Sequence, residues 1–267
     1  MSEHIERVYD GPLAIITIKK QETRNGLTLD LWRRLSQLLR EIALEPNITI
    51  TVIQAQGSFW SAGADVKNRD VDREGEAPRA ALLRRAAQGN GDLVRSIAEH
   101  PKVLVAACQG PAIGIAAAIL GLFDLIYTVE SFYLLCPFAS LSLVAEGASS
   151  LTFPRRMGHA LANEVLLFGR RIGADRLQQA GFINCVVASK DASDFQRQVH
   201  TELRDLLQDK DASSILMIKQ QMKTALNPLE VEAVNHREMF NLVERFETGK
   251  PQVAFAAIAS KSRRHKL

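Results

Sequence analysis

The chain alternates short, nearly continuous apolar runs with longer segments in which apolar residues recur every three or four positions. The first pattern is typical of strands buried on both faces, and the second of helices that pack one face on a core. Thr28 can cap a helix that carries Leu31, Leu35 and Ile42 on one face. Strands that alternate with helices predict parallel βαβ units. The predicted strands lie at 13–19, 48–55, 103–108, 125–129, 132–135 and 184–188, and a hairpin turns at Asp10-Gly11.

The second half of the chain has a different pattern, because helical spacing dominates after about Ser149. The segment 67–90 is rich in charge, alanine and glycine, which predicts a mobile, lid-like stretch leading into a helix that ends near His100. An α/β core followed by a helical C-terminal region is therefore expected. The predicted C-terminal helices are 160–168, 174–180, 192–208, 213–226, 229–247 and 252–262.

Composition narrows the functional class. The 267 residues are 46% hydrophobic with a net charge of +3, which suits one large domain and does not indicate nucleic-acid binding. Three cysteines without paired spacing predict reduced core residues of an intracellular protein. Six histidines without ligand spacing predict no metal site. The longest apolar stretch, 112–122, is too short to span a bilayer, so no membrane insertion is expected.

Two glycine-containing loops and one glutamate are the candidate chemistry. Ser61-Ala62-Gly63-Ala64-Asp65 follows one predicted strand, and Gly110-Pro111-Ala112-Ile113-Gly114 follows another and opens a helix. Loops of this kind can aim two backbone N–H groups at one developing negative charge. Glu146 adds a carboxylate that can move a proton beside a carbonyl. Each motif alone is common in α/β proteins, and a Glu before Gly often marks only a helix start.

In order and spacing, these motifs resemble the crotonase superfamily, the enoyl-CoA hydratase/isomerase family. The resemblance covers nearly the whole chain, from Thr23-Arg24-Asn25-Gly26-Leu27 to Leu177-Gln178-Gln179-Ala180-Gly181-Phe182-Ile183. It implies an α/β fold class: a crotonase-type spiral of ββα turns over 1–200 and a helical C-terminal trimerisation region over 201–267. A homo-oligomer, either a trimer or a hexamer, is implied with it.

The same resemblance implies roles for individual residues. The N–H groups of Ala64 and Ile115 correspond to the family's oxyanion hole. Glu146 stands where 3,2-enoyl-CoA isomerases carry their single catalytic glutamate, and Asn90 falls where the yeast-type enzyme has an asparagine that helps to hold a water. The residues implied in binding substrate and CoA are Arg24, Asn25, Leu27, Ser61, Ala62, Gly63, Asp65, Lys67, Gly114, Phe138 and Leu141.

Two positions without acids favour one reaction of the family. The positions of the two hydratase glutamates are occupied by Ala118 and Phe138, and dienoyl-CoA isomerases also need an acid at the second position. The expected activity is therefore isomerisation of a cis or trans 3-enoyl-CoA to the trans-2-enoyl-CoA in fatty acid β-oxidation, with no cofactor beyond the substrate's own CoA. The alternatives are hydration or dienoyl isomerisation of a specialised acyl-CoA, or a non-catalytic RNA-binding relative.

The C-terminal residues His265-Lys266-Leu267 are similar to the Ser-Lys-Leu tripeptide that the peroxisomal import receptor binds. They predict peroxisomal localisation and the import receptor as a partner. The alternative is a solvated, frayed tail without a targeting role.

Overall fold

In the computed structural model, which describes residues 4–65, 77–225 and 228–260, nine strands form two sheets. The strands are β1 (Ile5–Asp10), β2 (Leu13–Ile18), β3 (Ile50–Ala55), β4 (Val103–Cys108), β5 (Ala112–Ile113), β6 (Leu125–Thr128), β7 (Tyr133–Leu135), β8 (Ile172–Gly173) and β9 (Cys185–Val186). The larger sheet has the order β1-β2-β3-β4-β6-β9, and all its pairs are parallel except the β1–β2 hairpin. The smaller sheet, β5-β7-β8, continues from the carboxyl ends of these strands.

Helices cover both faces of the larger sheet. The helices of the described residues are α1 (Leu29–Ala43), α2 (Pro78–Ala86), α3 (Asp92–Glu99), α4 (Ile115–Ala118), α5 (Ser149–Phe168), α6 (Ala174–Gln179), α7 (Ala192–Leu207), α8 (Ala212–Ala225), α9 (Pro228–Glu247) and α10 (Lys250–Ala259). Those that cover the two faces include α1 and α3 on one side and α7 on the other. A π-helical turn, Ala87–Gly91, joins α2 to α3. Within the described ranges, no helix has the length and apolar character needed to cross a membrane.

The core lies on both sides of the larger sheet, because β2 and β3 are buried along their whole length. Alternate residues such as Ile16 and Ile53 face α1 and α3, while Ile15 and Val52 face Phe195 of α7. Since side chains alternate across a strand, two buried faces require continuous apolar runs. This is the reason that the strands are recognisable in the sequence.

The predicted α/β class, hairpin and Thr28 cap are confirmed: β1 pairs antiparallel with β2, and Thr28 accepts a hydrogen bond from the Leu31 N–H. One prediction is wrong. The part of the expected lid from Pro78 onward is helical, because Pro is favourable in a first helical turn and alanine, leucine and arginine follow it. The helix predicted at 160–168 is confirmed as the part of α5 that follows a kink at Gly158, and the part of α5 that begins at Ser149 was not predicted.

Candidate active site

The two glycine loops lie side by side at the carboxyl ends of β3 and β4. The N–H groups of Trp60 and Ser61 donate to the Pro111 carbonyl at 3.1 and 3.3 Å. The Ile113 N–H donates back to the Ser61 carbonyl at 3.0 Å, so the loops pair as a short parallel ladder between Ser61 and Ala112. Backbone hydrogen bonds therefore fix the distance between the two loops.

Gly63 permits the closest approach of these loops. It adopts a φ of +84°, and a β-carbon built there would lie 2.5 Å from the Ile113 carbonyl oxygen and 3.5 Å from the Ile115 nitrogen. Both the dihedral and the space exclude a larger side chain. The residue that follows Gly63 is consequently held next to the start of α4.

Two backbone N–H groups at this junction have no acceptor among the described residues. Leu27 donates to the Gly63 carbonyl at 2.7 Å and accepts from the Asp65 N–H at 3.0 Å, so the intervening Ala64 N–H points away from Leu27. Ile115 is the first residue of α4, where an N–H has no intrahelical acceptor. Neither amide donates a hydrogen bond within the ranges that the structure describes. The predicted pair, Ala64 and Ile115, is thus brought together with both donors available.

The turn that carries Glu146 packs on α4, close to this pair. The next residue, Gly147, has a φ of +72°, and a β-carbon there would lie 2.8 Å from Ala118 Cβ and 3.2 Å from Ile115 Cδ1. The turn can therefore rest directly on α4. The Glu146 carbonyl accepts from the Ser149 N–H at 3.2 Å and from its hydroxyl at 2.7 Å, which fixes the backbone behind the carboxylate.

Asn90 forms a hydrogen bond with the Glu146 carboxylate. Its Nδ2 donates to Glu146 Oε2 at 2.9 Å, although the two residues are 56 positions apart. Asn90 is only 6% exposed and sits in the π-helical turn, a feature frequent at functional sites. Its Oδ1 is buried and accepts no hydrogen bond from the described residues, so it can still bind a donor.

Two apolar residues of this region are buried. Ala118 lies against the Gly147 turn, and Phe138 is 2% exposed. Burial and, to a smaller extent, the negative charge of Glu146 raise the pKa of the Cys136 thiol well above its ordinary value. The thiol therefore remains neutral near pH 7. One carboxylate near two backbone amides that have no acceptor among the described residues suits proton transfer next to a carbonyl group.

The predicted CoA-contacting turn adjoins the first loop. Arg24 is exposed, and its guanidinium carbon lies 5.0 Å from the centre of the Phe59 ring. Asn25 is fully buried: its Oδ1 accepts from the Lys20 N–H, and its Nδ2 donates to the carbonyls of Gln56 and Phe59. The Asn25 side chain thus holds the turn against the loop.

The other predicted contact residues differ in how they are placed. Asp65 accepts from Lys20 Nζ at 2.9 Å in a buried ion pair, and Ser61 Oγ donates to the Asn25 carbonyl at 2.7 Å. Ala62, Gly114 and Leu141 are partly buried. Lys67 and the tripeptide 265–267 lie outside the described residues. Within those residues, no group of three or more His, Cys, Asp and Glu side chains is placed to hold a metal ion.

Sequence patterns missed several residues that shape the site. The sequence does not show that Lys20 pairs with Asp65, because the two are 45 positions apart. Residues of α9 that contact the Asn90 and Glu146 turns were also missed. Asn235 and Glu238 are polar residues on the buried face of α9. A polar residue on the buried face of a helix was the one feature that could have indicated them.

Known proteins resemble this chain over most of its length. A model described as enoyl-CoA hydratase/isomerase matches residues 10–261. The chain is 38% identical to the Δ(3,5)-Δ(2,4)-dienoyl-CoA isomerase of Pyricularia oryzae, with 97% of each chain covered. It is 29% identical to the 3,2-trans-enoyl-CoA isomerase of Saccharomyces cerevisiae, over 100% of this chain and 98% of that protein. Mouse enoyl-CoA delta isomerase 3, peroxisomal, is 28% identical over 86% of this chain and 70% of its own length.

Solved structures show the same fold. An enoyl-CoA hydratase/isomerase from Pseudoalteromonas atlantica superposes with a TM-score of 0.84 at 24% identity, over 99% of this chain and 100% of that one. The predicted fold class is confirmed by this likeness.

Proposed function

The chain belongs to the enoyl-CoA hydratase/isomerase family, and we propose that it moves the double bond of a 3-enoyl-CoA to give the trans-2-enoyl-CoA. The observation that carries the proposal is the packing of the Glu146 turn on α4, close to the Ala64 and Ile115 amides, which donate no hydrogen bond among the described residues. Hydration by two carboxylates would require acids where Ala118 and Phe138 lie buried. A lone carboxylate suits a reaction in which one proton leaves the substrate and returns to it.

The proposed reaction needs no net proton. The thioester oxygen accepts hydrogen bonds from Ala64 and Ile115 while the Glu146 carboxylate removes a proton from carbon 2. The electron pair of the broken C–H bond spreads into a dienolate, whose negative oxygen the two amides stabilise. The Glu146 carboxylic acid then returns the proton to carbon 4, leaving the double bond between carbons 2 and 3. Substrate and product are isomers, and the carboxylate is regenerated.

Asn90 supports this role of Glu146. By donating to Oε2, it stabilises the charged form of the carboxylate and fixes the direction in which it points. Its unpaired Oδ1 suits a water molecule between the amide and the substrate. In this proposal the only CoA is that of the substrate, its phosphates are bound by basic residues such as Arg24 and Lys67, and the protein assembles as a trimer or hexamer.

A second candidate is dienoyl-CoA isomerisation. It is favoured by the 38% identity to the Pyricularia oryzae relative, which bears that name. The buried, apolar Phe138 weighs against a mechanism that uses a second acid at that position. The two candidates differ in substrate, since one requires a single double bond at carbon 3 and the other requires conjugated double bonds at carbons 3 and 5.

Turnover of both substrate types tests the proposal. We expect the wild type to convert trans-3-hexenoyl-CoA to a product with the absorbance of a conjugated thioester, and Glu146→Gln to lose this activity by a factor of about 100 or more. Glu130→Gln, at an exposed glutamate between β6 and β7, is the matched control and should retain full activity. Undiminished turnover by Glu146→Gln would refute the assignment. Exclusive turnover of a 3,5-dienoyl-CoA would select the second candidate.

We also propose a peroxisomal location, based on His265-Lys266-Leu267 and consistent with the mouse relative's name. A fluorescent reporter ending in residues 256–267 should enter peroxisomes, and deletion of the last three residues should abolish entry. A reporter that stays in the cytosol would contradict this location.

A further inference from the structure

Helix α9 supplies a buried acid to the N-terminus of α5. Glu238 is 6% exposed, and its Oε2 accepts from the Ala148 N–H at 2.7 Å. Its Oε1 accepts from the Ser150 N–H at 3.0 Å and from the Ser150 hydroxyl at 2.6 Å. The Glu238 carboxylate therefore accepts three hydrogen bonds from residues that lie about 90 positions earlier in the chain.

The start of α5 requires such a partner. Ala148 occupies the N-cap position without a side chain that could cap the helix, and its φ of 57° is unfavourable for a residue other than glycine. The first amides of a helix have no intrahelical acceptors and attract negative charge. Glu238 satisfies them and holds Ala148 in this conformation. Because Ala148 is two residues after Glu146, the same contact fixes the turn that carries the candidate base.

Burial makes this arrangement costly unless its contacts are maintained. It raises the pKa of the Glu238 carboxyl, while the hydrogen bonds from Ser150 and Ala148 act in the opposite direction. A buried acid is tolerated when hydrogen bonds compensate for its lost hydration. Removing the Glu238 side chain would leave the donors at Ala148 and Ser150 without their acceptor.

The same face of α9 contacts the Asn90 turn. Asn235 precedes Glu238 by three residues, is 5% exposed, and donates from Nδ2 to the Gly91 carbonyl at 3.1 Å. The sulfur of Met239 lies 3.3 Å from the place where Gly91 would carry a β-carbon. Residues three and four positions apart share one face of a helix. One rigid surface thus contacts the residue after Asn90 and the residues after Glu146.

A third contact anchors the other end of the Glu146 loop. Arg245 Nε donates to the Ser142 carbonyl at 2.9 Å, and Ser142 has a left-handed φ of 59°. The loop is therefore attached to α9 both before and after Glu146.

We propose that Glu238 and Asn235 are positioning residues that hold the Glu146 and Asn90 turns in register, a role that rests on the proposed function of that pair. Asn90 and Glu146 meet through one hydrogen bond of 2.9 Å, so a small displacement of either turn breaks it. A misplacement of about 1 Å can lower a rate about 100-fold. The C-terminal helix α9 thus contributes to catalysis without touching substrate.

Kinetics of four full-length variants test this role. We expect Glu238→Ala to lower kcat about 100-fold and Asn235→Ala about 10-fold, with KM within about threefold of wild type. Glu238→Gln, which keeps one acceptor oxygen, should lie between Glu238→Ala and wild type. Glu244→Ala, at an exposed glutamate of the same helix, should match wild type.

Hydrogen exchange provides a readout independent of turnover. The amides of Ala148 and Ser150 should exchange faster in Glu238→Ala than in wild type, and Glu238→Gln should be intermediate. If Glu238→Ala does not fold, the kcat and exchange of Glu238→Gln decide instead. Folded protein with wild-type kcat would overturn the proposal, as would a loss of kcat that Glu244→Ala shares.

Failure of this inference can be told apart from failure of the proposed function. Full activity in Glu146→Gln would refute the function, and therefore also the positioning role. An inactive Glu146→Gln together with a fully active Glu238→Ala would refute only the positioning role.

Discussion

The two ends of the parallel sheet use polar groups in different ways. At the carboxyl ends of β3 and β4, the Ala64 and Ile115 amides donate no hydrogen bond among the described residues and lie close to the Glu146 turn. At the amino ends, lysine side chains of α8 are tied down by acceptors: Lys219 contacts Asp124 and the Lys102 carbonyl, and Lys223 donates to the carbonyls of Ala98 and His100. The carboxyl ends thus leave two amide donors available, whereas at the amino ends both lysines donate to fixed acceptors.

The comparison teaches that a strongly shifted pKa does not by itself locate the reaction. Burial lowers the pKa of His100 to about 3, and burial together with Lys219 lowers that of Lys223 to about 8. Both groups lie at the end of the sheet away from Glu146. Structural ion networks shift pKa values as functional sites do. We therefore expect substitutions at the carboxyl ends to change activity and substitutions at the amino ends to change stability.

The largest expected effect is at Gly63. In Gly63→Ala the new methyl group would collide with the Ile113 carbonyl, 2.5 Å away, and separate the Ala64 and Ile115 amides. Loss of one donor of such a pair typically lowers kcat by a factor of about 100 to 1000. Steady-state turnover of a 3-enoyl-CoA measures the effect. The matched control is Gly173→Ala, since a methyl group there meets no atom within 4 Å. Equal activity of both variants would show that loop separation does not control turnover.

The next largest effect is expected at the amino end. Lys219→Met removes the cation that pairs with Asp124, and an unpaired, partly buried carboxylate destabilises the fold by about 3 kcal/mol. Activity of the remaining folded protein should equal that of wild type. Urea unfolding at fixed protein concentration measures the change, with Lys210→Met at an exposed lysine as control. If Lys219→Met keeps its stability but loses turnover, the expectation that the amino ends affect stability and not activity is wrong.

This division also explains what the sequence could predict. Buried parallel strands require continuous apolar runs, so the strand 103–108 was predicted with its observed bounds. The two glycine loops depend on a local feature, a strand end followed by glycine, so the sequence predicts both of them. Glu146 has no local signal of this kind, since a Glu before Gly is often only a helix start. Only the resemblance to a family distinguished it.

The contacts that could not be predicted join distant segments. The π-helical turn packs against α2, α3 and α9. The sequence does not predict it, because a segment rich in charge, alanine and glycine is compatible with both a helix and a loop. Glu238 and Asn235 are polar residues whose burial depends on the positions of Ala148 and Gly91. No spacing rule connects residues 90 to 144 positions apart.

The smallest effect is a pH dependence of stability that arises at His100. Its pKa is about 3 in the folded protein against 6.5 ordinarily, so the unfolded chain binds a proton more readily. The stability from neutral His100 is complete above about pH 6.5 and is lost as the pH falls toward 3. Between pH 7 and pH 5 this amounts to about 2 kcal/mol. His100→Gln can still bond to Thr51 but cannot titrate, so urea unfolding should show a loss smaller by that amount. An equal loss in both proteins would mean that another group causes the acid sensitivity.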